Sequence, residues 1–113
     1  MNSFKIQGNS LIIGTQQIEF SYRIEKALYY KEFYLVLLDS DSHQKKWGQF
    51  QNLFAVSLTG DILWKAELPT TTTGDSYHSI EIINNRINAY SWCSYECIID
   101  ADTGRIIEKK FIK

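Results

Sequence analysis

Apolar and polar positions alternate most regularly along residues 52–68, NLFAVSLTGDILWKAEL. Phe54, Val56 and Leu58 alternate with Leu53, Ala55 and Ser57, and Ile62, Trp64, Ala66 and Leu68 alternate with Leu63, Lys65 and Glu67. A period of two is the strand period, because successive side chains point to opposite faces. Between the runs sits Leu58-Thr59-Gly60. A three-residue hairpin loop closes through a residue with positive φ, which glycine adopts without steric cost. The pattern predicts a β-hairpin in which Val56 faces Ile62 and Phe54 faces Trp64. One face would carry Phe54, Val56, Ile62, Trp64 and Ala66, and the other Lys65 and Glu67.

The rest of the chain repeats this grammar. Residues 4–7 and 11–15 around Gly8-Asn9-Ser10 predict a first hairpin, and residues 16–24 continue as an extended segment. KALYYK, residues 26–31, reads as a strand because of its tyrosines. FYLVLL, residues 33–38, is apolar on both faces, as in a central strand covered on both sides. Residues 39–51, DSDSHQKKWGQFQ, form the most polar stretch and predict a long loop. Pro69 ends the hairpin, since it has no N–H to donate, and TTTTGDS reads as a linker. Residues 77–83 and 86–92 flank Asn84-Asn85, a pair suited to a tight turn. Residues 95–100 and 106–112 flank Ala101-Asp102-Thr103-Gly104.

Two units of four strands emerge, 26–68 and 77–112, with Gly60 and Gly104 in equivalent places. A spacing of roughly 40–45 residues per four-stranded unit is the propeller-blade period. At 113 residues the chain is expected to be one domain, 1–113, with residues 1–24 as the N-terminal hairpin and extended segment.

Composition changes this picture little. A hydrophobic share of 44% supplies a core, and the net charge of −1 gives no field to steer a polyanion, so no nucleic-acid partner is expected. Neither a signal peptide nor a membrane-spanning run is visible, which leads to an expectation of a cytoplasmic protein with no membrane partner. Cys93 and Cys97 are spaced CxxxC, neither a redox CxxC nor half of a zinc site, and are expected to be reduced apolar fillers.

No nucleophile elbow, P-loop, dinucleotide fingerprint or HExxH occurs. Asp39, Asp41 and His43 form an alternating polar cluster that a solvated loop explains better than a weak metal site or an acid–base pair, since histidine and carboxylate need convergent geometry for either. His78 reads either as a general base or as an ordinary strand histidine. Aromatics are the stronger signal. Trp64 alternates with core positions, whereas Trp47 sits in the polar loop beside Lys45, Lys46 and Phe50, where it is either an exposed anchor or a ring folded over a sheet edge. Trp92 and Tyr95 on a short turn form a second candidate patch, and Asp41 and His43 complete the candidate set.

LFAVSLTGDILWKAEL resembles the PQQ-type, or quinoprotein-like, β-propeller repeat, in which a strand leads through a Thr-Gly turn to a packing tryptophan. CIIDADTGRIIEKKF is similar at its turn, IDADTGR, but has Glu108 where the tryptophan would be. The layout also resembles a group of small bacterial proteins with such a repeat pair after an IEF segment. The resemblance implies a turn and a packing tryptophan. It does not imply quinone binding, which in the family needs a full ring of blades and a metal site, so no cofactor or metal is expected.

Two such units are too few for a closed propeller. The expected fold is all-β, with two four-stranded antiparallel meanders packed as a half-propeller or sandwich and an N-terminal β-hairpin over an open edge or face. The expected role is a non-enzymatic protein-interaction domain, such as a toxin-neutralising or regulatory partner. The alternatives are a carbohydrate- or small-ligand-binding module and a small enzyme with its site near His43 and His78. A weakly associating homodimer is also expected, on the argument that a half-propeller leaves an apolar face uncovered.

Overall fold

A computed structural model describes residues 3–40 and 49–112. Eleven strands are found among them: β1 Lys5–Gln7, β2 Ser10–Ile13, β3 Gln16–Glu19, β4 Ile24–Tyr30, β5 Phe33–Leu38, β6 Leu53–Ser57, β7 Ile62–Lys65, β8 Tyr77–Ile83, β9 Arg86–Ser91, β10 Tyr95–Ile99 and β11 Ile106–Phe111. They form three antiparallel meanders, β1-β2-β3, β4-β5-β6-β7 and β8-β9-β10-β11. The two four-stranded units are those the alternation predicts. The N-terminal hairpin is present and gains a third strand, because Gly14-Thr15 turns the extended segment back beside β2. Among the described residues no helix is long and apolar enough to cross a membrane.

The sheets stack in three layers. Leu35, Leu37, Leu53, Ala55 and Trp64 of the middle sheet meet Tyr77, Ile80, Ile87, Ala89, Cys97 and Ile99 of the C-terminal sheet. Tyr34, Val36, Leu38 and Val56, on the opposite face, meet Leu11 and Phe20. This is why FYLVLL is apolar throughout: its alternate side chains enter two different cores. Burying each such side chain stabilises the fold by about 1.5–3 kcal/mol.

In the hairpin of β6 and β7, the turn forms as expected: the Gly60 amide donates to the Ser57 carbonyl (3.0 Å) and Gly60 has φ +94°. Val56 faces Ile62, but Phe54 faces Lys65 and Trp64 faces Ala55. Leu63 is an extra residue, a β-bulge that reverses the faces beyond it. The expected grouping of Phe54, Val56, Ile62 and Trp64 on one face is therefore corrected. Trp64 is 8% exposed in the inter-sheet core, whereas Ile62 is 50% exposed. Ile107 is the matching bulge in the C-terminal sheet.

Trp64 locks the two sheets together. Its indole N–H donates to the Ala101 carbonyl (2.9 Å), and a Cβ on Gly104 would lie 2.5 Å from its ring. The N-terminal sheet repeats this contact on a smaller scale. Gln16 Nε2 donates to the Thr59 carbonyl (2.6 Å), and Ile18 Cγ1 lies 3.2 Å from where a Gly60 Cβ would be. Ile18, Trp64 and Glu108 each stand four residues after a turn glycine, Gly14, Gly60 and Gly104.

The segment read as a linker, TTTTGDS, has no strand but is anchored. Asp75 and Ser76 are fully buried, and Asp75 accepts from the Thr70 hydroxyl (2.7 Å) and the Ser76 amide (3.0 Å).

Candidate binding site

Two bulges open a cleft at one end of the stack. Glu25 is the extra residue of β4, between the pairs Ile24–Leu38 and Lys26–Leu37. His78 is the extra residue of β8, between Tyr77–Ser91 and Ser79–Tyr90. A bulge re-aims the side chain that carries it. Both residues line a cleft of about 210 Å³ together with Asp39, Ser40 and Trp92.

Two residues that line the cleft, Leu38 and Tyr77, are tied together through Asn52. Asn52 is fully buried, donates through Nδ2 to the carbonyls of Leu38 (2.9 Å) and Tyr77 (2.7 Å), and accepts from the Tyr77 amide (2.9 Å). It bridges the middle and C-terminal sheets beneath the site. Further down, Lys26 Nζ donates to the Ile80 carbonyl (3.1 Å) and the Tyr30 hydroxyl to that of Asn85 (2.8 Å).

Trp92 is 52% exposed, yet its orientation is set on three sides. Its backbone N–H donates to the Ser76 carbonyl (3.0 Å), its indole N–H donates to Ser40 Oγ (2.9 Å), and its ring packs on the His78 imidazole, centroids 4.6 Å apart and tilted by 45°. Partial burial lowers the pKa of His78 from its ordinary value, which favours the neutral ring. Asp39 is ion-paired with Arg23, and its backbone N–H donates to the Arg23 carbonyl (2.8 Å).

The other candidates fall elsewhere. Asp41, His43, Lys45, Lys46 and Trp47 lie outside the described residues. Phe50 is not a surface anchor. Its ring is buried against Tyr22, centroids 5.0 Å apart, in the core beneath the N-terminal sheet. Tyr95 does not join Trp92 in one patch. It packs edge-on against Phe111 (5.5 Å) with Lys109 Nζ 5.2 Å from its ring centre, toward β11, whereas Trp92 reaches β8 and Ser40. Cys93 and Cys97 are free, and burial raises both thiols, which disfavours the thiolate. Among the described residues no group of three His, Cys, Asp or Glu side chains could hold a metal.

The site thus brings together Trp92 and His78, which the sequence marked for separate reasons, and adds Glu25 and Ser40, which it did not mark. Neither addition carries a local signal: a bulge leaves no trace in a short strand sequence, and Ser40 is one polar residue among many in the 39–51 stretch.

The sequence matches over residues 1–111 the family described as Domain of unknown function (DUF7957). No curated protein matches the chain in sequence. Several solved structures match its fold, two of which follow. The crystal structure of the computationally designed Ika8 protein superposes with a TM-score of 0.61 at 8% identity, covering 97% of this chain and 36% of that one. BamB from Moraxella catarrhalis, a β-propeller with PQQ-like repeats, gives 0.61 at 11%, covering 98% and 35%. The chain spans about a third of the length of these structures. At such identities the likeness extends to the fold alone.

Proposed function

We propose, for a chain that belongs to the family described as Domain of unknown function (DUF7957), a role as a non-enzymatic protein-interaction domain anchored on Trp92. The observation that carries this reading is a half-exposed indole held in one orientation by Ser40 and His78. A pre-oriented ring loses little entropy on binding, and tryptophan is enriched among interface hot spots. A regulatory or toxin-neutralising partner fits this reading.

The test compares Trp92→Ala with the unaltered chain as baits in a host extract, followed by calorimetry against any partner recovered. Truncation of a hot spot weakens binding by about 2 kcal/mol or more. An unchanged melting temperature with that loss of affinity supports the proposal. Equal recovery and equal affinity of both baits would sink it.

A second reading as a carbohydrate- or small-ligand-binding module is favoured by a groove of about 460 Å³ between the N-terminal and middle sheets, where Phe20, Tyr22 and Phe54 meet Gln49, Gln51 and Lys65. Aromatic faces beside amides and one cation suit a sugar. Titration with monosaccharides, followed by amide chemical shifts, tests it: shifts confined to the groove favour the module, and no shifts exclude those sugars as ligands.

At the level of the repeat, we read the three sheets as successive PQQ-type propeller blades. The Thr-Gly turns and the seating of Trp64 on Gly104 support this.

A further inference from the structure

The contact that joins one sheet to the next has a direction. A side chain four residues after one sheet's turn glycine seats on the turn glycine of the following sheet: Ile18 on Gly60, and Trp64 on Gly104. Each seat is reinforced by a side-chain N–H to a carbonyl of the receiving turn, from Gln16 to Thr59 and from Trp64 to Ala101. Within the described residues the series runs from Gly14 to Glu108. At the N-terminal end Gly14, φ +60°, has nothing within 4 Å of where its Cβ would be. A shallow hollow of about 390 Å³ lies there, lined by Ser3, Phe4, Lys5, Ile12 and Gly14. At the C-terminal end the docking position is Glu108, an exposed carboxylate.

From this we infer that the Gly14 hollow is a docking socket for a large apolar side chain carried four residues after a turn glycine on the outer strand of another propeller-type sheet, in a partner chain, and that Glu108 bars a second copy of this chain from it. The occupant's chemistry follows from the two filled seats, which take a branched aliphatic and an indole. The socket continues the same sheet-to-sheet interface by one further step, and Phe4 and Ile12 supply the apolar wall. Exclusion of a second copy follows from charge. Docking its C-terminal sheet would place Glu108 among Phe4, Ile12 and Lys5, and a carboxylate buried there, even paired with Lys5, is disfavoured by its desolvation relative to the apolar side chains of the filled seats. The face around Glu108 matches that exclusion. The alternation of β8–β11 puts Glu81, Asn88, Tyr90, Glu96 and Lys110 on it, and the Tyr90 hydroxyl bonds Glu81 (2.9 Å).

The chain itself can serve as the probe. Glu108→Trp restores the docking side chain on an exposed position, where the fold tolerates change. In light scattering this variant is expected to show a mass roughly twofold or more above the unaltered chain at the same concentration, since a head-to-tail contact can repeat. Adding Ile12→Glu, which places a charge in the hollow, is expected to return it to monomer. Glu108→Ile, copying Ile18, is the second docking variant should the indole upset β11, and thermal melts check that each variant is folded. A folded Glu108→Trp or Glu108→Ile chain that stays monomeric overturns the socket. Association that survives Ile12→Glu overturns its location, and association of the unaltered chain overturns the exclusion by Glu108.

Discussion

At the scale of single residues, Gly104, Asn52 and His78 carry the sharpest consequences. Gly104 has φ +77°, and a Cβ there would overlap the Trp64 ring, so Gly104→Ala suffers both backbone strain and overpacking. Strain costs about 1–2 kcal/mol and overpacking about 1–3 kcal/mol. Gly14→Ala has a similar φ but open space, so only the first cost applies. Urea midpoints should rank Gly104→Ala well below Gly14→Ala, and equal midpoints would refute the tight seat of Trp64. Asn52→Leu removes three buried hydrogen bonds and leaves backbone groups of Leu38 and Tyr77 unpaired, a loss of roughly 2–4 kcal/mol read by the same denaturation. For His78 the sign follows from linkage. A lowered pKa in the fold means the unfolded chain binds more protons in the window just below the usual histidine value. Stability is therefore fully present above that window and is lost as pH falls through it. His78→Asn should flatten this acid slope, and an unchanged slope would exclude His78 as its source. Tyr90 gives the opposite limb. Burial first, then its hydrogen bond to Glu81 and the charge of Glu96, push it up to about 12. Its contribution is present below the ordinary tyrosine value and is lost as pH rises toward 12, and an ultraviolet titration in which Tyr90→Phe leaves the late ionisation unaltered would disprove the assignment.

At the scale of elements, the strands were legible because hydrophobic alternation and turn residues act locally. Asn84-Asn85 does adopt positive φ at both positions, and Gly60 and Gly104 do close their turns. Facing was less legible. Leu63 and Ile107 are ordinary apolar residues, and nothing in the alternation distinguishes an extra residue from a paired one. The bulge at Leu63 turns Trp64 onto Gly104, a contact with a residue 40 positions away. Coverage of both faces also predicts dynamics. Amides of β5 and β6 should exchange slowest, as they lie between two cores, and those of β1, an exposed three-residue edge strand, fastest. Faster exchange in β5 than in β1 would contradict the layering.

At the scale of the whole molecule, the homodimer expectation rested on an uncovered apolar face. The outer face of the C-terminal sheet carries Glu81, Glu96, Glu108 and Lys110 around Ile83 and Ile98, so it is not the wholly apolar face on which that expectation rests. Polar outer faces keep stacked sheets soluble, and the exposed Glu108 contributes to such a face. The unaltered chain is expected to sediment as a monomer, and a concentration-dependent mass in sedimentation equilibrium would show that another surface associates.

What the sequence by itself determined is the local grammar: an all-β chain, two four-stranded meanders, the turn glycines and a doubly covered β5. These follow from φ preferences and from period-two patterning, which each segment expresses alone. Tertiary structure decided which faces meet. Trp64 enters the inter-sheet core because a bulge and a distant glycine admit it, and Phe50 leaves the surface because Tyr22 and the N-terminal sheet cover it. Trp92 becomes a fixed, half-exposed ring when Ser40, from the segment after β5, and His78, from β8, reach it. Such contacts join residues tens of positions apart, and their energy lies in shape and hydrogen-bond geometry that no single segment encodes.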